Sequence, residues 1–117
     1  MSQHTRRDAP LDMGGDEFRA LGHQMVDQIA EFLDSIRSRP VTSGATPLDV
    51  RKLIDAEVGM PREGSDPAEL LSRTGEMLFD HSLHNGHPRF MGYITSSAAP
   101  MGMLGDLLAA ALNPNVG

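Results

Sequence analysis

The sequence has 117 residues, which suits one domain or part of one. Ten Lys and Arg against 16 Asp and Glu give a net charge of −6, and no segment is long and basic, so we expect no nucleic-acid partner. The chain has no Cys, which excludes a disulfide scaffold and a thiolate nucleophile. The longest apolar stretch, residues 98–112, contains Asp106 and is too short to cross a bilayer.

The N-terminal residues 1–14 are polar and carry no apolar run after the Arg6-Arg7 pair. This pattern is not that of a secretory signal, and it predicts a flexible arm. We therefore expect a cytoplasmic protein without a membrane partner.

A first helix is predicted over residues 16–38, where apolar residues recur every three or four positions, and Pro40 ends it. Gln24 and Gln28 are expected largely on the opposite, polar face. Since an amphipathic helix cannot bury its own apolar face, it must pack on something else. The apolar stripe consists of Phe18, Leu21, Met25, Ile29, Phe32 and Ile36.

Two further helices are predicted from their N-terminal signals. Thr46 caps a short helix over residues 47–57, and Asp66 caps a third helix that fades near Ser82. Glu69 is expected to complete the second cap reciprocally.

Residues 89–95 are predicted to be extended, and a last helix spans residues 100–112 with Ser97 as its cap. The fold class is therefore mainly α, with about four helices and a short extended segment. The chain stops just after this last helix, so we expect a truncated protein.

Three histidines, His81, His84 and His87, are spaced three residues apart. Imidazole is a good zinc ligand, but no carboxylate completes a metal-binding motif and Pro88 opposes a helix through His87. The pattern therefore favours ordinary loop histidines over a metal site.

The stretch GHPRFMGYITSSAAP places one aromatic residue, Tyr93, before three hydroxyls, Thr95, Ser96 and Ser97. Such a loop can hold a carboxylate or a hydroxyl against an apolar wall. Composition alone favours the other interpretation, a strand that enters a helix cap.

Two segments together resemble the N-terminal region of the group II pyridoxal-phosphate (PLP)-dependent amino acid decarboxylases, which include the aromatic-L-amino-acid, tyrosine and histidine decarboxylases. They are EFRALGHQMVDQIAEFLDSIRSRPV, residues 17–41, and DPAELLSRTGEMLFDHSLHNGHPRFMGYITSSAAPMGMLGDLLAAALNPNVG, residues 66–117. The resemblance covers nearly all of the chain after its first dozen or so residues.

The resemblance implies the N-terminal part of a fold-type-I, PLP-dependent α/β enzyme that decarboxylates an L-amino acid, with aromatic ones among the candidates. It divides the chain into the flexible arm, a helical dimerisation segment over residues 15–84, and the truncated start of a PLP-dependent transferase-like domain over residues 85–117. The expected partners are a second copy of the chain, which forms a homodimer through the N-terminal helices, and a small amino acid substrate.

The resemblance also implies a set of site residues. Tyr93 and Ile94 would line the substrate side-chain pocket, and Ser96 would hold a polar group of the substrate. A one-residue shift against the family pattern would give that role to Thr95, so both stay open. Asn115 and Val116 would contact the active site of the partner subunit.

The family's catalytic lysine, its ring-stacking histidine and its aspartate all lie downstream of this segment. Lys52 is the sole lysine and belongs to a predicted surface helix. Because decarboxylation needs PLP as an electron sink and a lysine to carry it, we expect these residues alone to bind no PLP and to be inactive. The alternatives from other classes are a non-catalytic helical interaction module and a small histidine-based zinc protein.

Overall fold

The computed structural model describes residues 11–114, and this part of the chain contains four helices and no strand. The mainly α prediction is confirmed. None of the helices in these residues combines the length and apolar character needed to span a bilayer. The helices are α1 (Gly15–Ser35), α2 (Pro47–Leu53), α3 (Pro67–His81) and α4 (Pro100–Leu112).

The principal helix–helix contact of the described residues joins α1 to α3. The Gln24 side-chain amide donates to the Ala68 carbonyl at 2.9 Å, and the Gln28 amide donates to the Ser72 carbonyl at 3.3 Å. The second hydrogen bond lies one turn further toward the C-terminus on both helices, so α1 and α3 run parallel. The expectation that both glutamines lie on the polar face is therefore wrong, because they span the gap to the backbone of α3.

An aromatic cluster joins the C-terminal ends of α1 and α3. The rings of Phe32 and Phe79 stack with centroids 4.4 Å apart, and the His84 ring meets Phe32 edge-on at 5.3 Å. The Arg39 guanidinium lies 5.4 Å from the Phe32 centroid and pairs with the Asp80 carboxylate at 2.7 Å. Two of the four phenylalanines of the sequence are thus used at this one junction.

The described residues have no apolar core, since none of their apolar side chains is buried. The radius of gyration is 18.4 Å, whereas a compact chain of this length has about 13 Å. An apolar crevice of about 220 Å³ separates α1 from α4, with Met25, Ile29 and Leu104 on its walls. The apolar faces that the sequence predicted are present, but this chain alone does not cover them.

α1 and α2 begin close to the predicted residues but end earlier, whereas α3 and α4 end close to the predicted residues. α1 passes into turns after Ser35, and α2 ends at Leu53, before the left-handed Asp55 with φ of 50°. Asp66 caps α3 by accepting the Glu69 backbone N–H at 2.9 Å.

The short extended segment predicted over residues 89–95 is not a regular strand. The chain bends at residues 92–94, and Tyr93 takes a left-handed conformation with φ of 55°. No strand of the described residues is present to pair with it, so the backbone follows local turns instead. The cap assigned to Ser97 is also wrong, because Ala99 is the N-cap of α4 and makes no side-chain cap hydrogen bond.

A complete capping box fixes the start of α2. The Thr46 hydroxyl donates to the Asp49 carboxylate at 2.6 Å, the Thr46 backbone N–H donates to it at 2.9 Å, and the hydroxyl oxygen accepts the Asp49 N–H at 3.2 Å. The first two bonds, the side-chain one foremost, hold the pKa of the Asp49 carboxyl below its ordinary value.

A Thr46→Ala substitution should raise the pKa of Asp49 toward its ordinary value, because the hydrogen bond from the Thr46 hydroxyl, which lowers this pKa most, is lost. NMR pH titration of the Asp49 carboxyl measures this. Since the folded-state pKa is the lower one, the box stabilises α2 above the unfolded-state pKa and is lost as the pH falls through the folded-state value. Thr42→Ala is the matched control, and an unchanged Asp49 titration in Thr46→Ala would contradict the assignment.

Candidate functional site

Two histidines are the buried polar residues of the described chain. His84 is 5% exposed and His87 is 4% exposed, although both lie in the connection between α3 and α4. A buried imidazole needs hydrogen-bond partners, because an unpaired polar group away from water costs about 1–3 kcal/mol. Their partners therefore show what the connection is built around.

The His84 ring lies between two backbone carbonyls from different parts of the chain. Its Nε2 is 2.7 Å from the Phe79 oxygen, and its Nδ1 is 3.2 Å from the Pro40 oxygen. Phe79 belongs to the last turn of α3, where carbonyls lack a helical partner. The His84 backbone N–H also donates to the Val41 carbonyl at 3.0 Å. His84 thus ties the end of α3 to the segment that follows α1.

The His87 ring organises the next turn of the backbone. Its Nδ1 accepts the Arg89 N–H at 3.0 Å, so the hydrogen of the neutral ring is on Nε2. That Nε2 has no hydrogen-bond partner among residues 11–114. The His87 N–H donates to the His84 carbonyl at 3.0 Å, and Phe90 donates to the His87 carbonyl at 2.9 Å.

An open groove of about 720 Å³ runs beside this turn, with apolar walls from α1 and α3. The hydroxyl-bearing stretch that follows Tyr93 reaches it. Ser96 and Ser97 both line the groove, together with Phe32, Leu33, Ile36, Leu78, Phe79, Ser82, Leu83, His84, Asn85, Gly86 and Ala98.

The residues expected at the substrate pocket are separated by the structure. Ser96 is exposed and lines the groove, whereas Tyr93 and Ile94 do not line it and are fully exposed, at 97% and 106% of their reference surface. Thr95 is exposed as well. Asn115 and Val116, expected at the partner's active site, lie outside the described residues.

The regular spacing of the three histidines does not predict that His84 and His87 are buried and hydrogen-bonded to the backbone. The available signal is their position beside Gly86 and Pro88, which mark a turn. In residues 11–114 no group of three or more His, Cys, Asp or Glu side chains is arranged to hold a metal ion. His81 instead ends α3.

Comparison with known proteins finds several amino acid decarboxylases among the relatives of the chain. The chain is 30% identical over 103 residues to an aromatic-L-amino-acid decarboxylase of Bacillus atrophaeus. This match covers 88% of the chain and 21% of that relative. The chain is 32% identical over 106 residues to a tyrosine decarboxylase of Oryza sativa subsp. japonica, covering 91% and 20%. An aromatic-L-amino-acid decarboxylase of Mus musculus is 32% identical over 100 residues, covering 86% and 20%.

No family model matches the chain, and no solved structure matches it. The resemblance to the group II PLP-dependent amino acid decarboxylases is nevertheless confirmed by these relatives. The chain spans about a fifth of the length of the curated relatives it matches.

The residues of this segment do not by themselves fit PLP, the cofactor that the family implies. A PLP site needs a lysine amine within reach of the cofactor and donors for its phosphate. Lys52, the sole lysine, is exposed in the last turn of α2. It is not among the residues that line the groove beside Ser96. The groove therefore has no amine with which to carry the cofactor.

Zinc titration should give no saturable binding to the three histidines of this chain. Both ring nitrogens of His84 lie beside carbonyl oxygens, so a metal held by all three histidines would have to displace one of these contacts. Isothermal titration calorimetry checks this, with His84→Ala expected to behave like the parent chain. Tight binding that His84→Ala abolishes would restore the zinc interpretation.

Proposed function

We propose that the chain is the N-terminal segment of a longer, cytoplasmic, fold-type-I enzyme that uses PLP to decarboxylate an L-amino acid, with aromatic amino acids as the leading substrates. The segment supplies dimer contacts and one wall of the substrate pocket. The single observation that carries this proposal is the similarity to amino acid decarboxylases along 86–91% of the chain.

The wall of the pocket is assigned to the stretch from Tyr93 to Ser96. Ser96 contributes a hydroxyl to a groove whose other walls are largely apolar, which is the combination that small-molecule sites use to hold a polar group beside an apolar one. Tyr93 and Ile94 present their side chains fully to the outside of this segment. They are therefore free to contact a substrate carried by the rest of the enzyme.

The dimer contacts are assigned to the helical segment over residues 15–84, and residues 85–117 begin the transferase-like domain. Large apolar side chains remain exposed on every helix, for example Phe18 at 60%, Leu48 at 59%, Leu70 at 54% and Leu108 at 67%. Apolar surface of this extent favours a partner surface, since its burial stabilises by about 25 cal/mol per Å².

Expression of the whole reading frame that contains this segment tests the proposal directly. Release of CO₂ should be observed with PLP and one of a panel of L-amino acids that includes phenylalanine, tyrosine, tryptophan and histidine. The 117-residue chain alone is the control and should release none. A purified, PLP-loaded protein that acts on none of them would contradict the assigned reaction.

Alanine variants of Thr95 and Ser96 in that longer enzyme should separate the two candidates for the polar contact. Loss of one hydrogen bond to the substrate costs about 0.5–1.5 kcal/mol, which raises KM by about 2–10-fold with little change in kcat. Steady-state kinetics measures this, with the exposed loop variant Ser65→Ala as control. If neither Thr95→Ala nor Ser96→Ala changed KM or kcat, the pocket assignment would be wrong.

The alternative of a self-contained interaction module is tested on the 117-residue chain. Because the described residues bury no apolar side chain, we expect a broad thermal transition and concentration-dependent association. Analytical ultracentrifugation and circular dichroism measure both. A defined oligomer with a sharp melting transition would favour the module instead.

A further inference from the structure

We propose that His84 and His87 are positioning residues, which hold in place the turn that fixes both ends of the loop with the candidate pocket residues. The loop comprises residues 89–97, and the two histidines begin and end the turn of residues 84–87. The inference rests on the proposed function wherever an experiment measures KM for a substrate. The fixation of the loop itself rests on the contacts within the described residues alone.

The first end of the loop is fixed by His87. Its ring accepts the Arg89 N–H at 3.0 Å and its carbonyl accepts the Phe90 N–H at 2.9 Å. The residue is 4% exposed, so water competes little for the bond to Arg89. Two successive backbone amides therefore start the loop in one orientation.

The second end of the loop packs against the same turn. A Cβ placed on Gly86 would lie 3.0 Å from the Ser97 Cβ and 3.2 Å from the Ile36 Cδ1. The backbone of Gly86 thus lies directly on Ser97 and on the side chain of Ile36, just past the end of α1. A side chain at this position would require Ser97 or Ile36 to move by a few tenths of an ångström.

His84 fixes the turn to the two long helices. Its ring lies between the carbonyls of Phe79 and Pro40, and its own carbonyl accepts the His87 N–H. Both ends of the loop are therefore attached, through one turn, to the junction of α1 and α3. Tyr93 and Ile94, at the middle of the loop, are fully exposed and receive their position from these ends.

A shift of the turn should therefore move Thr95 and Ser96 relative to the substrate while leaving the reacting groups, which this segment does not contain, in place. Such a change raises KM more than it lowers kcat. A merely destabilising substitution would instead lower the active fraction, and so the apparent kcat, at unchanged KM.

Gly86→Ala in the whole enzyme is the first test, with Gly64→Ala as the matched control, because a Cβ at Gly64 meets nothing within 4 Å. We expect KM to rise about 5–10-fold in Gly86→Ala with kcat within about twofold, and neither to change in Gly64→Ala. A fall in kcat alone, or no change in either constant, would overturn the inference.

His87→Ala and His87→Asn form the second test. The asparagine side-chain oxygen can take the place of Nδ1 and accept the N–H two residues on, whereas alanine cannot. We expect His87→Ala to raise KM as Gly86→Ala does, and His87→Asn to restore KM to within about twofold of the parent. Equal kinetics in the two variants would contradict a positioning role for the ring.

Amide hydrogen exchange separates failure of this inference from failure of the proposed function. In His87→Ala the amides of Arg89 and Phe90 should exchange at least about 10-fold faster than in the parent, and in His87→Asn close to the parental rate. If no substrate is decarboxylated but the exchange follows this pattern, the proposed function fails and the loop fixation holds. Unchanged exchange in His87→Ala would overturn the fixation itself.

Discussion

The structure depends on one buried contact, the His84 ring held between the carbonyls of Phe79 and Pro40. The α1–α3 pair has no buried apolar core to fix its geometry, so directional bonds fix it instead. The two ring nitrogens point in different directions and lie beside carbonyls on separate segments, so the one N–H of a neutral ring can donate to either carbonyl. Its edge-on contact with Phe32 then aligns the aromatic stack between the helices.

The apolar surface of this segment and its polar junction have different roles. The helix faces remain exposed, and the radius of gyration of 18.4 Å leaves the helices without a common interior. Exposed apolar faces of this extent are typical of surfaces that a partner surface covers. The hydrogen-bonded junction, in contrast, joins α1, α3 and the following turn through contacts made within the described residues.

The helices could be predicted because their signals are local. The stripe that begins at Phe18, the caps at Thr46 and Asp66, and the prolines in the first helical turns act within a few residues. The contacts that position the candidate site are not local. His84 meets Pro40, 44 residues away, and Gln24 meets Ala68, also 44 residues away, so no periodicity in the sequence reveals either contact.

Residues 89–95, predicted to be extended, also show what local sequence signals do not determine. Val, Ile, Tyr and Phe favour strands because they pack well on a pleated surface, and a strand exists only where a neighbouring strand supplies its hydrogen bonds. Phe90 and Tyr93 are residue types that favour a strand, but residues 11–114 contain no neighbouring strand. The backbone turns left-handed at Tyr93 instead. The conformation of residues 89–95 thus depends on a neighbouring strand. The hydrogen bonds of the turn before it are made within the described residues, where Nε2 of His87 has no partner.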